Sequence, residues 1–146
     1  DETYDNRLIY NTYLCFYRCT FQHIHSTSNK GGCIYLVLNG VITQNNYFEN
    51  CIFISCSGTE GGACYIPTTE RSNTEIKNCT FERNTAKTRG GSISLFYSNF
   101  SIKMCNFLNN NVRAQSEDAY GGSFFISNST GTIEMSNFFT KFSKFL

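Results

Sequence analysis

Long apolar runs, basic clusters and proline are all scarce in this 146-residue chain, and each scarcity removes a class of protein. No hydrophobic stretch approaches the roughly 20 residues that a membrane-crossing helix needs, and no basic-then-apolar leader opens the sequence at Asp1. The twelve Lys and Arg are scattered, Arg7, Arg18, Lys77 and Arg113 lack basic neighbours, and the formal net charge is +1. Nucleic acid and direct insertion into a membrane are therefore not expected. Asp is confined to Asp1, Asp5 and Asp118, and the other eight of the eleven acidic residues are dispersed Glu. The clustered carboxylates that polysaccharide-cleaving enzymes need for acid–base work or for calcium are missing from the pattern. Metal ligation finds little support either. The eight Cys match no zinc spacing, because Cys15 and Cys19 lack a second close pair, and His23 and His25 fall in a turn without a thiol or carboxylate beside them. No cofactor and no metal is expected.

What the chain does contain favours strands. It has 14 Phe and 9 Tyr, abundant Ser, Thr and Asn, and no sustained 3.6-residue apolar period. Pro67 is the only proline, so eleven Gly and the many Asn must supply the tight corners. Two words alternate along the whole length. The first is FYRCTF from Phe16, FENCIF from Phe48, IKNCTF from Ile76, IKMCNF from Ile102 and IEMSNF from Ile133. The second is GGCIYL from Gly31, GGACYI from Gly61, GGSISL from Gly90 and GGSFFI from Gly121. The closing Phe of the first word recurs after 32, 28, 26 and 31 residues, from Phe21 through Phe53, Phe81 and Phe107 to Phe138. Fixed words with a slightly variable period describe a solenoid whose strands keep their length while the turns absorb insertions. The expected fold is all-β, a right-handed single-stranded parallel β-helix of about five coils of roughly 26 to 32 residues, forming one domain over 1–146.

Side-chain parity adds detail. Ile34 and Leu36, Cys64 and Ile66, Ile93 and Leu95, and Phe124 and Ile126 share one face of a strand, and that face is the interior. Ile76 has the opposite parity to Cys79 and Phe81, so a corner must separate them, and Asn50 and Asn78 stand where a left-handed residue turns the chain. Three sides per coil follow: the glycine-word strand, a strand ending at the first apolar residue of the hexapeptide, and the strand carrying Cys79 and Phe81. Stacking coils at about 4.8 Å turns the five closing Phe into one aromatic ladder. Cys19, Cys51, Cys79 and Cys105 share one slot that Ser136 fills in the last coil, which reads as a row of reduced, small, buried side chains; pairing between coils stays open. Cys33 and Cys64 have opposite parity and are not expected to bridge. Glu49, Lys77, Lys103 and Glu134 share a hexapeptide position and read as a solvated face of mixed charge.

The alternation of a GGA(I/L/V)-like block with an FxxN-like block resembles the repeats of the polymorphic outer-membrane proteins. FERN at Phe81 to Asn84 and FLNN at Phe107 to Asn110 match FxxN in full, while Phe21, Phe53 and Phe138 keep the aromatic and lose the Asn. Cys33 and Ser92 replace the family's Ala. The resemblance implies a surface-exposed, adhesive passenger region at an extracellular or cell-surface location, with a protein or glycan of a host or neighbouring cell as partner. The chain lacks the family's barrel, begins inside one coil and stops after the fifth hexapeptide, so it is expected to be a segment of a longer protein.

Non-enzymatic adhesion or structural presentation is thus the expected function, with a carbohydrate-active β-helix enzyme as the alternative. Between hexapeptide and glycine word the first three coils have 9, 7 and 8 residues and the fourth has 13, from Leu108 to Tyr120. Long excursions on rigid scaffolds carry recognition, so Arg113, Glu117, Asp118 and Tyr120 are the candidate binding residues, against the plainer reading of a tolerated insertion. Three sequons mark Asn78, Asn99 and Asn128. Asn99 and Asn128 are expected in turns and open to glycosylation, and Asn78 is a poorer acceptor because a buried Cys follows it.

Overall fold

A computed structural model describes residues 11–27, 30–36, 43–113 and 119–139. Among them every element is a strand and every pairing is parallel, in three sheets that run side by side along one axis. The chain is a parallel β-solenoid with five rungs, hence about four full turns, along its phenylalanine row. The longest sheet stacks Asn11–Tyr17, Thr43–Glu49, Cys64–Lys77 and Ile93–Lys103, and ends on Phe124–Ser127 and Thr130–Glu134. A second sheet stacks Thr20–Gln22, Ile52–Ile54, Thr80–Glu82, Asn106–Leu108 and Asn137–Phe139. The third and shortest stacks Ser57–Glu60, Thr85–Arg89 and Asn111–Val112.

Three faces exist, but they are not the three that parity implies. The glycine-word strand and the strand leading into the hexapeptide form one sheet, continuous over Cys64–Lys77 and over Ile93–Lys103. The third face is the segment after FxxN, whose Thr and Ser residues read as turn in sequence. The long strand keeps its core parity through a local break. Left-handed Tyr97 shifts the alternation between Leu95 and Ser98, and its partner strand accommodates extra residues there, since Phe96 pairs with Pro67 while Ser98 pairs with Ser72. In the fifth coil, left-handed Asn128 separates the two strands outright.

Each remaining corner has its own chemistry. The first glycine of each pair adopts a left-handed φ, 66° at Gly61. The second lies against the backbone of the facing short strand: a Cβ on Gly62 would meet the Thr85 nitrogen at 2.6 Å and collide with the Gly91 carbonyl of the next coil. The double glycine is therefore where the solenoid is pinched shut. Asn50 and Asn78 turn the hexapeptide corner at φ 56° and 51°, as their position between Ile76 and Cys79 requires.

Inside, Phe21, Phe53, Phe81, Phe107 and Phe138 stack with ring centroids 4.9, 4.7, 5.0 and 5.0 Å apart. That interval is the strand spacing itself, so nearly coplanar rings are held in contact by the backbone ladder. Beside them, Phe16 stacks on Phe48 at 5.2 Å and Ile76 and Ile102 continue the row. The Asn of FxxN is structural. Asn84 is fully buried; its Oδ1 accepts from the Cys56 N–H at 2.9 Å and its Nδ2 donates to the Phe53 carbonyl at 3.0 Å. Asn110 repeats both bonds one coil on, to the Asn84 N–H and the Phe81 carbonyl. Backbone groups left without a strand partner at the corner are thereby satisfied.

Replacing Phe81, which is wholly buried, by Ala is expected to cost about 3 to 5 kcal/mol, and the same change at Phe138, 51% exposed at the end of the stack, clearly less. Urea unfolding of the two variants beside the parent checks this; equal losses would contradict the stacking order.

Candidate functional site

The buried thiols come first, because they occupy one repeated slot of the core. Cys51, Cys79 and Cys105 form the expected inward row, and each slot accepts a hydrogen bond from the coil before it: Cys51 N–H to Cys79 Sγ at 3.4 Å, Cys79 N–H to Cys105 Sγ at 3.5 Å, and Cys105 N–H to Ser136 Oγ at 3.2 Å. A small acceptor is what the slot selects, which is why Ser replaces Cys at its end. These thiols are free, as are Cys15, Cys19 and Cys64, whereas Cys33 and Cys56 form a disulfide across 6.3 Å between their Cα atoms. The bridge lies outside the row, and ties the first glycine word to the corner that follows Phe53. Burial pushes the Cys64 thiol well above its ordinary range, and the hydrogen bond with Cys105, followed by burial, does the same to Cys79. Such thiols are poor nucleophiles and act as packing.

The candidate loop divides between two faces. Arg113 continues the short sheet, its N–H bonded to the Ala86 carbonyl at 2.8 Å, and its side chain lines a groove of about 420 Å³ with His25, Arg83 and Lys87. Tyr120 stands just before the glycine corner, where it pairs with Arg89 and brings its ring within 6.2 Å of that of Phe125. Glu117 and Asp118 lie outside the described residues.

Around Tyr120 an aromatic row runs over the outer side of the glycine-word strands. Tyr35 meets Tyr65 at 5.7 Å, Tyr65 meets Phe96 at 5.3 Å, and Phe96 meets Phe125 at 5.5 Å. The rows are in register at Tyr35 and Tyr65, but Ser94 holds the next rung and Phe96 leans across it, so the row survives a gap in the repeat. Cations edge it: the Lys30 ammonium sits 4.7 Å from the Tyr65 ring centre and the Arg89 guanidinium 5.1 Å from that of Phe125. Lys30 also donates to the Tyr65 hydroxyl at 3.1 Å and pairs with Glu60 at 3.5 Å; the first of these bonds is the main reason its ammonium is held above its ordinary pKa. Tyr35 and Tyr120 remain nearly half exposed. Such a strip presents flat apolar faces and charge-assisted donors together, the combination that stacks on and orients a polar ligand. Sequence reading found only Tyr120 of this row; the alternation of Tyr35 and Tyr65 with inward residues was the available signal.

The expected mixed-charge face is present, with Glu49 to Lys77 at 3.5 Å and Lys103 to Glu134 at 3.4 Å, all well exposed. Of the sequons, Asn128 occupies an exposed left-handed turn. Asn99 is also exposed but lies within the strand Ile93–Lys103, paired with Asn73 and Thr130, rather than in a turn: the break that reads as a loop is taken up one step earlier, at Tyr97. Asn78 is exposed at its corner and donates to Asn50. His25 bonds Ser57 Oγ through Nδ1 at 2.8 Å, and among the described residues no three His, Cys, Asp or Glu side chains come together as a metal site would need. No described helix is long and apolar enough to cross a membrane. Comparison with protein-family models, characterised proteins and solved structures gives no match.

Two measurements follow from the thiols. Thiol titration in denaturant without reductant should find six thiols, and eight after reduction; eight at the outset would rule out the bridge. A thiol whose folded pKa exceeds its unfolded value keeps its proton in the fold and gives it up on unfolding, so its contribution is intact below pH ~9 and declines above it. The slope for Cys64 approaches about 1.4 kcal/mol per pH unit. Unfolding midpoints should fall above pH ~9, less steeply in Cys64→Ala; a flat profile in the parent contradicts the neutral, buried thiol.

Proposed function

We propose that this chain is a non-enzymatic surface module that presents an extended recognition face, acting in adhesion outside the cell. The aromatic and cationic row of Tyr35, Tyr65, Phe96, Phe125, Lys30 and Arg89 carries the proposal: it is continuous over successive coils, and its four rings stand on strands. Recognition built on such a row is repetitive and shallow, suited to a long polymer or a flat protein surface. The buried polar and thiol groups support the same reading, because they bond to the backbone of neighbouring coils. The Cys33–Cys56 disulfide fits an oxidising, extracellular compartment. The likeness of the two words to polymorphic outer-membrane protein repeats points the same way.

The test is a glycan array and a cell-binding assay run beside a polysaccharide-degradation assay. Binding without depolymerisation is expected. Tyr65→Ala with Phe125→Ala should weaken it about tenfold, the equivalent of ~1.4 kcal/mol from two lost ring contacts. Depolymerisation by the purified chain would overturn the non-enzymatic reading, and unchanged binding by the double variant would remove the row from it.

A further inference from the structure

Scattered as its cations are in sequence, the chain gathers several of them on its shortest sheet. The groove there is lined by His25, Arg83, Lys87 and Arg113, together with hydroxyls such as Ser57 and Thr85. The stacking explains the convergence. His25 pairs with Ser57 and Ser57 with Thr85, which brings the first, second and third coils together at this face. Val112 pairs with Ala86, so the residues after them, Arg113 and Lys87, stand side by side on adjacent coils about 4.8 Å apart. Arg83 occupies the left-handed corner one turn earlier in the same coil as Lys87. Among the described residues no acidic side chain lines the groove. Arg83 reaches Glu82 at 3.3 Å from the neighbouring sheet, and Lys87 donates to the neutral Thr27 carbonyl at 2.9 Å, with no ion pair to it among the described residues.

We propose that this groove binds an acidic glycan, with Lys87 and Arg113 taking the sulfate or carboxylate and the serine and threonine hydroxyls taking sugar hydroxyls. Its volume of about 420 Å³ suits one or two sugar units. Adjacent cations on neighbouring coils form a short clamp for one anionic group, and Arg offers a planar fork that a sulfate or carboxylate fills with two bonds. One feature argues against a nucleic acid: among the described residues no aromatic side chain lines the groove for a base to stack on. This groove shares no lining residue with the aromatic row and does not depend on it, so either can fail alone.

Calorimetry on the full 146-residue chain at 150 mM salt tests it, with heparin-derived, hyaluronan-derived and neutral chitin-derived hexasaccharides and a single-stranded DNA hexamer as titrants. The heparin fragment should bind if sulfate is the group recognised and the hyaluronan fragment if carboxylate is. The neutral fragment and the DNA should bind at least tenfold more weakly. Lys87→Glu with Arg113→Glu changes two exposed side chains and should reduce acidic-glycan affinity more than tenfold while the thermal midpoint stays put. Tyr65→Ala should leave this binding intact. Failure of both acidic fragments to bind, equal binding by the double variant, or DNA binding as tight as the glycan would each overturn the proposal.

Discussion

The constraint on which everything else rests is the parallel hydrogen-bonded register that sets each residue beside its counterpart one coil away. Corner N–H groups obey it as well as strand ones: Arg83 N–H donates to the Leu108 carbonyl at 2.9 Å, and Asn78 N–H to that of Lys103 at 2.9 Å. Because the spacing is fixed near 4.8 Å, a side chain succeeds only if it packs against something like itself at that distance. Aromatic rings do, at 4.7 to 5.0 Å, and so do amides and hydroxyls that donate to one neighbour and accept from the next. Charges do not, and the row of Glu49, Lys77, Lys103 and Glu134 shows the remedy. The two adjacent lysines are flanked by a glutamate on each side, within 3.5 and 3.4 Å, and all four remain in water.

The same constraint explains why the interior need not be purely apolar. Asn46, Thr74 and Ser98 form a buried polar row in the long sheet, with Asn46 Nδ2 on Thr74 Oγ1 at 3.3 Å and Ser98 Oγ on the same atom at 3.0 Å. An unpaired buried polar atom costs about 1 to 3 kcal/mol, and the adjacent coil supplies partners for Asn46 Nδ2, Thr74 Oγ1 and Ser98 Oγ, while Asn46 Oδ1 and the Ser92 hydroxyl have none among the described residues. A solenoid can therefore tolerate polar residues inward at positions where a globular core would have to find each a separate solution. Its vulnerability lies instead at the places where the coil narrows, such as Gly62 against Thr85, where any side chain would push backbone from backbone.

Much of this was legible in the sequence, because the repeat reports the register directly. The Phe row, the inward Cys slot, the left-handed Asn50 and Asn78, and the mixed-charge face all follow from equal spacing of equal words. The third sheet was not legible. Ser57–Glu60 and Thr85–Arg89 are short, polar and variable, and only the buried Gly58 and Ala86 mark an inner side, too few positions for a period to show. Of the candidate binding faces only Arg113 and Tyr120 were legible, for a related reason. Lys87 and Arg113 are 26 residues apart, and neither sits in a repeated word, so their adjacency appears only once the segment after FxxN is recognised as a strand. The disulfide was equally hidden: Cys33 and Cys56 lie in different words, and the parity test applied to Cys33 and Cys64 concerned the wrong pair.

Corners decide where such a fold has freedom to acquire function. A left-handed residue with a side chain costs on the order of 1 to 2 kcal/mol, yet among the described residues eleven non-glycine residues accept it. The glycine corner cannot where it is enclosed, since a Cβ on Gly32, Gly62 or Gly91 would collide with backbone of both the next coil and the facing strand, and all four glycine words keep both glycines. The corner after the Phe row holds His23, Ser55, Arg83 and Asn109 in successive coils, and the hexapeptide corner holds Arg18, Asn50, Asn78, Met104 and Met135. Their backbones are locked by the axial hydrogen bonds that offset the strain, while their side chains point away from a core that makes no demand on them. Rigid placement with free choice of chemistry is what a recognition surface requires. Of these corners, the one after the Phe row borders the groove that Lys87 and Arg113 line, so substitution at Arg83 or Ser55 can retune that groove without disturbing a single rung of the ladder behind it.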